Sequence, residues 1–233
     1  MNLIKVENYE EMSRAAADLF LAQVKEKPAS VLGLATGSSP VGLYKLLAGA
    51  NADFSQAKSV NLDEYCGLSA DNPQSYRYFM TENLFKHINI NQANTHVPDG
   101  MAANPDAEAE RYEELIEKLG GIDLQLLGMG HNGHIGFNEP DEEFAAATHR
   151  VYLAEQTIKA NSRFFASPEE VPTSAITMGI KTIMQARKIV VIASGSEKTN
   201  ILKKALYGTI TPRVPASVLQ LHQNLTVITD CFE

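Results

Sequence analysis

The run Gly128-Met129-Gly130-His131-Asn132-Gly133-His134-Ile135-Gly136-Phe137-Asn138-Glu139-Pro140 gathers two imidazoles, two side-chain amides and one carboxylate in a single stretch. An imidazole gives and takes a proton near neutral pH, and a nearby carboxylate can orient it. The stretch therefore carries equipment for acid–base chemistry. Two other readings fit it poorly. Gly128, Gly130 and Gly133 spell G-x-G-x-x-G, but a dinucleotide site needs a helix directly afterwards and an acid at the end of the next strand. Gly136 and Pro140 argue against that helix, and no good strand precedes Glu155. His131 and His134 form H-x-x-H, which lacks the helical facing of H-E-x-x-H and an evident third ligand. No cofactor and no metal is expected.

Three further stretches bear on chemistry. Ala35-Thr36-Gly37-Ser38-Ser39-Pro40 combines small residues and hydroxyls with a proline suited to a first helical turn. Free N–H groups and the helix dipole then favour an anion, most naturally a phosphate, although an ordinary strand-to-helix turn has the same composition. Asp63 in Asn61-Leu62-Asp63-Glu64-Tyr65 is a candidate general base; a helix cap or a surface acid is the bland alternative. Ser194-Gly195-Ser196-Glu197-Lys198 opens another helix and offers a second anion site, and Arg163 adds a cation.

The elements that must position these residues alternate. Asn8-Tyr9-Glu10-Glu11 is a capping-box variant. It opens a helix with Met12, Ala16, Leu19 and Phe20 on one face, ending before Pro28. Strands are expected at 30–34, 59–62, 123–127, 175–178, 188–193 and 225–229, and helices at 41–47, 75–86, 105–119 and 197–207. Alternation of this kind implies a largely parallel sheet with right-handed crossovers. Ligand sites in such sheets lie beyond the carboxyl ends of the strands, where all four chemical stretches fall.

Composition narrows the partners. A chain of 233 residues with formal charge −8 and no Lys/Arg run lacks the basic footprint of a nucleic-acid binder. No apolar run approaches the roughly 18 residues of a membrane span, and the N-terminus lacks the apolar stretch of a secretory signal. Cys66 and Cys231 are the only cysteines, too few for a disulfide framework or a thiolate zinc site. They fit a reducing cytoplasm. Nothing selects between a monomer and a small homo-oligomer.

The segments LGLATGSSPVGLY, NLDEYCGL with the downstream PQSYRYFM, LLGMGHNGHIGFNEP, ANSRFF, ASGSEK and LQLH span nearly the whole chain. Together they resemble the glucosamine/galactosamine-6-phosphate isomerase family. The resemblance implies a Rossmann-like three-layer α/β sandwich in a single domain. It also implies glucosamine-6-phosphate deaminase activity, in which the amino-sugar phosphate and water give fructose 6-phosphate and ammonia, as in amino-sugar catabolism. In that reading Asp63 is the enolisation base, His134 the acid–base group for ring opening and Glu139 its carboxylate partner. Asn132 stands where some longer members carry Asp, which puts a full Asp-His-Glu triad in doubt. Thr36, Gly37, Ser38 and Ser39 form the phosphate loop, Arg163 and Lys198 are phosphate ligands, and a mobile lid is expected around 154–172. The longer members carry a C-terminal tail that assists allosteric activation by N-acetylglucosamine 6-phosphate; weak or absent activation is expected here. The rival readings are a 6-phosphogluconolactonase, which shares the fold but follows Gly-His with Ser-Leu-Phe-Pro, and a non-catalytic sugar-phosphate sensor. Gly136-Phe137-Asn138-Glu139-Pro140 together with Asp63 favours the deaminase.

Overall fold

A computed structural model describes residues 1–153, 165, 167 and 170–232. In chain order the regular elements are β1 (Asn2–Lys5), α1 (Tyr9–Glu26), β2 (Val31–Leu34), α2 (Val41–Gly49), β3 (Lys58–Asn61), β4 (Asp63–Tyr65), α3 (Tyr76–Asn83), β5 (Thr95–His96) and α4 (Pro105–Lys118). There follow β6 (Leu124–Gly128), β7 (His149–Tyr152), β8 (Ser174–Thr177), α5 (Ile180–Met184), β9 (Lys188–Ala193), α6 (Thr199–Tyr207) and β10 (Leu225–Thr229). Among the described residues no helix is long and apolar enough to cross a membrane.

Seven strands form one sheet in the order β1-β10-β9-β6-β2-β3-β5, with every pairing parallel. Strands β2, β6, β9 and β10 are almost wholly buried, as a parallel sheet covered on both faces requires. From β2 the chain steps outward to β3 and β5; from β6 it steps the other way, to β9 and β10. Right-handed crossovers then put α1, α2 and α3 on one face and α4, α5 and α6 on the other. The packing of α1 against α2, and of α2 against α3, agrees. Asn8 caps α1, accepting from the Glu11 amide at 2.9 Å. The reciprocal carboxylate of Glu11 accepts from Glu7 rather than from the cap residue itself.

The opposite edge of the sheet is pinned by Asp123. Its buried carboxylate accepts from the Val31 amide at 2.8 Å and from the Lys27 ammonium at 2.8 and 2.9 Å, with Arg187 at 3.2 Å. One carboxylate thus ties the starts of β2, β6 and β9 together, far from the strand ends that carry the chemistry.

A second, three-stranded antiparallel sheet runs in the order β4-β8-β7. The strand expected at 175–178 is therefore real but belongs here, not to the parallel sheet. Leu62 alone separates β3 from β4. The small sheet has its own apolar cluster of Tyr65, Leu68, Phe137 and Ala175, with Tyr76 packed against it.

Candidate active site

The chain leaves the adjacent strands β2 and β6 in opposite directions, which opens a crevice beyond their carboxyl ends. A cavity of about 250 Å³ occupies it. Thr36 to Ser39, Asp63, Tyr76, His134, Gly136 and Phe137 all line it. A larger groove of about 710 Å³ beside β1 and β10 holds none of these residues.

The loop after β2 is fixed by two tyrosine hydroxyls. Tyr9 donates to the Ser38 carbonyl at 3.0 Å and accepts from the Gly42 amide at 2.8 Å. Tyr44, fully buried on α2, donates to the Ala35 carbonyl at 2.6 Å and accepts from the Ala35 amide at 3.2 Å. Gly37 takes φ 94, a backbone that side-chain-bearing residues rarely adopt. No side chain caps α2, so this helix start has the form of an anion cradle. Both tyrosines escaped sequence reading. Their partners lie across an intervening turn or strand, and only Tyr44's place on the buried helical face hinted at a core position.

Asp63 begins β4 opposite Thr177 and is 6% exposed. Burial, and then the charge of neighbouring Glu64, push its carboxyl up to about 8. A carboxyl so placed binds its proton tightly, as a base for a weakly acidic C–H must. The loop after β6 lies over it. The Phe137 amide donates to Thr177 Oγ1 at 3.0 Å, and Asn138 Nδ2 donates to the carbonyls of Ile135 at 2.9 Å and Met178 at 2.8 Å. A side chain at Gly136 would meet Thr177 Oγ1 at 2.8 Å and Asp63 Oδ2 at 3.4 Å, so glycine lets the loop approach the acid.

The same loop builds an imidazole–carboxylate–amide group. His134 Nδ1 stands 3.1 Å from Glu139 Oε1, close enough for a charge contact though not aligned as a hydrogen bond. Asn132 Nδ2 donates to the other carboxylate oxygen at 2.6 Å, and Asn132 Oδ1 accepts the His134 amide at 3.1 Å. Burial alone would raise the Glu139 carboxyl; His134 and Asn132 outweigh it and hold the group below its ordinary value. Asn132 thus donates to Glu139, which a carboxylate at that position would do only when protonated. At Gly130 an added Cβ would lie 2.2 to 2.5 Å from the His134 ring, so the imidazole rests on bare backbone.

Other expected site residues fall differently. Lys198 ends the short 3₁₀ turn after β9 and is not among the residues lining the cavity. The second anion loop is already filled from within: Asp230 accepts from Ser194 Oγ at 2.6 Å and from the Gly195 amide at 2.8 Å. Arg163, and the expected lid over 154–172 apart from 165, 167 and 170–172, lie outside the described residues. The loop after β6 reaches β7 with no helix between them, so the glycine pattern there does not open a dinucleotide fold. Among the described residues no group of three or more His, Cys, Asp or Glu is placed to hold a metal.

Comparison with known proteins identifies the arrangement. The family model described as glucosamine-6-phosphate isomerases/6-phosphogluconolactonase matches residues 7–228. A glucosamine-6-phosphate deaminase of Lachnoclostridium phytofermentans is 62% identical over 237 residues, covering 100% of both chains. One of Thermoanaerobacter sp. is 56% identical over 234 residues, covering 99% of this chain and 92% of its own. A solved monomeric glucosamine-6-phosphate deaminase superposes with a TM-score of 0.94 at 45% identity, covering 98% of this chain and 97% of that one. The 6-phosphogluconolactonase of Thermotoga maritima shares the fold alone, with a TM-score of 0.77 at 20% identity over 97% and 96% of the two chains. With a match along nearly its whole length, the chain belongs to the glucosamine-6-phosphate isomerase/6-phosphogluconolactonase family.

Proposed function

We propose that this enzyme deaminates glucosamine 6-phosphate, giving fructose 6-phosphate and ammonia. The observation that carries the reading is a buried carboxyl of raised proton affinity, Asp63, sharing one cavity with the anion loop and with His134. Relatives named glucosamine-6-phosphate deaminase at 62% and 56% identity support it.

The following chemistry fits these residues. Thr36 to Ser39 and the start of α2 hold the phosphate, with Arg163 as a further ligand and Lys198, outside the cavity lining, as a more distant cation. Binding energy at that end orients the reacting carbons. His134, steadied by Glu139 and Asn132, carries a proton from the anomeric hydroxyl to the ring oxygen, and the pyranose opens. Asp63 removes the proton from carbon 2 and an enolamine forms. Return of a proton at carbon 1 leaves an imine at carbon 2. Water adds there and ammonia departs. Every step is a proton transfer, an addition or an elimination that these side chains can serve.

The deciding measurement is ammonia release from glucosamine 6-phosphate, with galactosamine 6-phosphate as the epimer control and 6-phosphogluconolactone hydrolysis as the rival activity. Turnover rises with pH through about 8 as Asp63 ionises. Asp63→Asn loses at least about 100-fold, the lower end of what one positioned acid–base group contributes. Near-normal turnover in a folded Asp63→Asn protein, or lactone hydrolysis without ammonia release, overturns the reading.

A further inference from the structure

Asp63 has a neighbour whose placement the reaction above leaves unused. Successive side chains on a strand point to opposite faces. Glu64 accordingly turns away from the cavity that Asp63 lines and is 2% exposed. Its Oε1 accepts the amides of Tyr65 and Tyr76, each at 2.9 Å, and its Oε2 accepts the amide of Arg77 at 2.8 Å. The last two amides open α3, so the carboxylate sits against the positive end of that helix. Ser75 already caps the same helix, accepting the Tyr78 amide at 3.0 Å. The extra carboxylate therefore does more than end a helix: it clamps α3 to β4.

What the clamp holds is Tyr76. This ring lines the cavity, stacks on Phe137 at 6.1 Å between centroids and lies 4.8 Å from the Tyr65 ring. Its hydroxyl donates to Tyr65 Oη at 3.2 Å, and the ring lines the same cavity as Thr36 of the anion loop. One carboxylate is thus linked through Tyr76 to the phosphate end of the site, and through the backbone of β4 to Asp63.

We infer that Glu64 is a positioning residue for the reaction, holding Tyr76 in the cavity wall beside the phosphate loop while placing a carboxylate charge beside Asp63. This rests on Asp63 being the base. A buried like charge favours the protonated form of its neighbour, and Glu64 is second only to burial in raising the Asp63 carboxyl. Burial lifts Glu64 itself to about 7, against three amides and Arg77 that lower it, so it is largely charged where Asp63 titrates near 8. The other ionisable groups around the pair are Tyr65 and Cys66 in and after β4, Tyr76 and Arg77 from α3, His96 from β5 and Asp99 after it, Arg111 and Tyr112 from α4, and His134 from the loop after β6. Glu64 ties β4 to the backbone of α3, and the Tyr76–Tyr65 hydroxyl bond is a second tie between the same two elements.

Two variants separate the two tasks. Glu64→Gln keeps the shape, removes the charge and loses one acceptor. The acid limb of its kcat/KM–pH profile moves to lower pH by at least about half a unit, and kcat on the alkaline plateau falls about tenfold. Glu64→Asp keeps the charge but withdraws it from α3. Its acid limb stays with the parent's, while KM for glucosamine 6-phosphate rises severalfold. The proposal is overturned if Glu64→Gln leaves the limb and kcat unmoved, or if Glu64→Asp keeps the parental KM. Should Glu64→Gln not fold, Glu64→Asp decides alone by its KM. Asp63→Asn is run alongside. If it retains turnover, the assignment of the base fails and this inference falls with it; if it is inactive while Glu64→Gln is normal, only this inference fails.

Discussion

Asp63 costs the fold stability wherever it must ionise. In the unfolded chain an Asp ionises near pH 4, whereas in the fold it holds its proton up to about 8. Between those values the folded state binds more protons than the unfolded one, so stability falls as pH rises across the window and is flat above it. Asp63→Asn removes the cost. Its melting temperature at pH 8.5 should exceed the parent's by at least about 2–4 °C, the shift that about 1 kcal/mol produces in a chain of this size. At pH 4 the two should melt nearly together. Calorimetry at both pH values checks this; a variant that melts below its parent at pH 8.5 contradicts the placement. The residues Asn132, His134 and Glu139 were legible because their contacts span no more than seven positions of one loop. Tyr9 and Tyr44 were not, since a hydroxyl that fixes a loop across 29 residues, as Tyr9 does, leaves no mark in spacing.

At the scale of elements, the parallel strands were readable wherever both faces are buried, because such strands are continuous apolar runs. Residues 188–193 and 225–229 match their observed bounds. The small sheet was not. β4 is three residues, Asp-Glu-Tyr, all buried yet with no apolar signature, and β7 is partly exposed. β8 has the composition of a parallel strand, and only its antiparallel partners reveal otherwise. The helix expected over 75–86 ends at Asn83 and resumes as a 3₁₀ turn at Phe85–His87, a boundary set by local backbone geometry rather than by apolar spacing. Function and stability also divide between the two ends of the parallel sheet. Asp123→Asn weakens the charged hydrogen bonds from Lys27 and removes the ion pair with Arg187 at the end remote from the site. It should cost about 1–3 kcal/mol in denaturant unfolding and leave kcat and KM unchanged. A loss of turnover in that variant would mean the two ends are coupled.

For the whole molecule, a net charge of −8 says that a phosphate ester is not drawn in by the general field. In the proposed reading it is held locally, by the uncapped amides and the hydroxyls at the start of α2. Inorganic phosphate should therefore raise the melting temperature saturably, and about 100-fold above its Kd it should add about 2.7 kcal/mol. Chloride at equal ionic strength should not; an equal rise with chloride would show that general screening, and not this loop, is responsible. Leu62 links the two sheets directly. The Leu62 amide continues the parallel sheet by donating to Leu34 at 3.0 Å, and its carbonyl accepts from Met178, at the end of the small sheet, at 2.7 Å. Leu62 is thus a fulcrum with almost no lever arm. Were the small sheet to tilt against the large one as a rigid plate, its far strand β7 would sweep through space while Asp63, one residue from the pivot, barely moved.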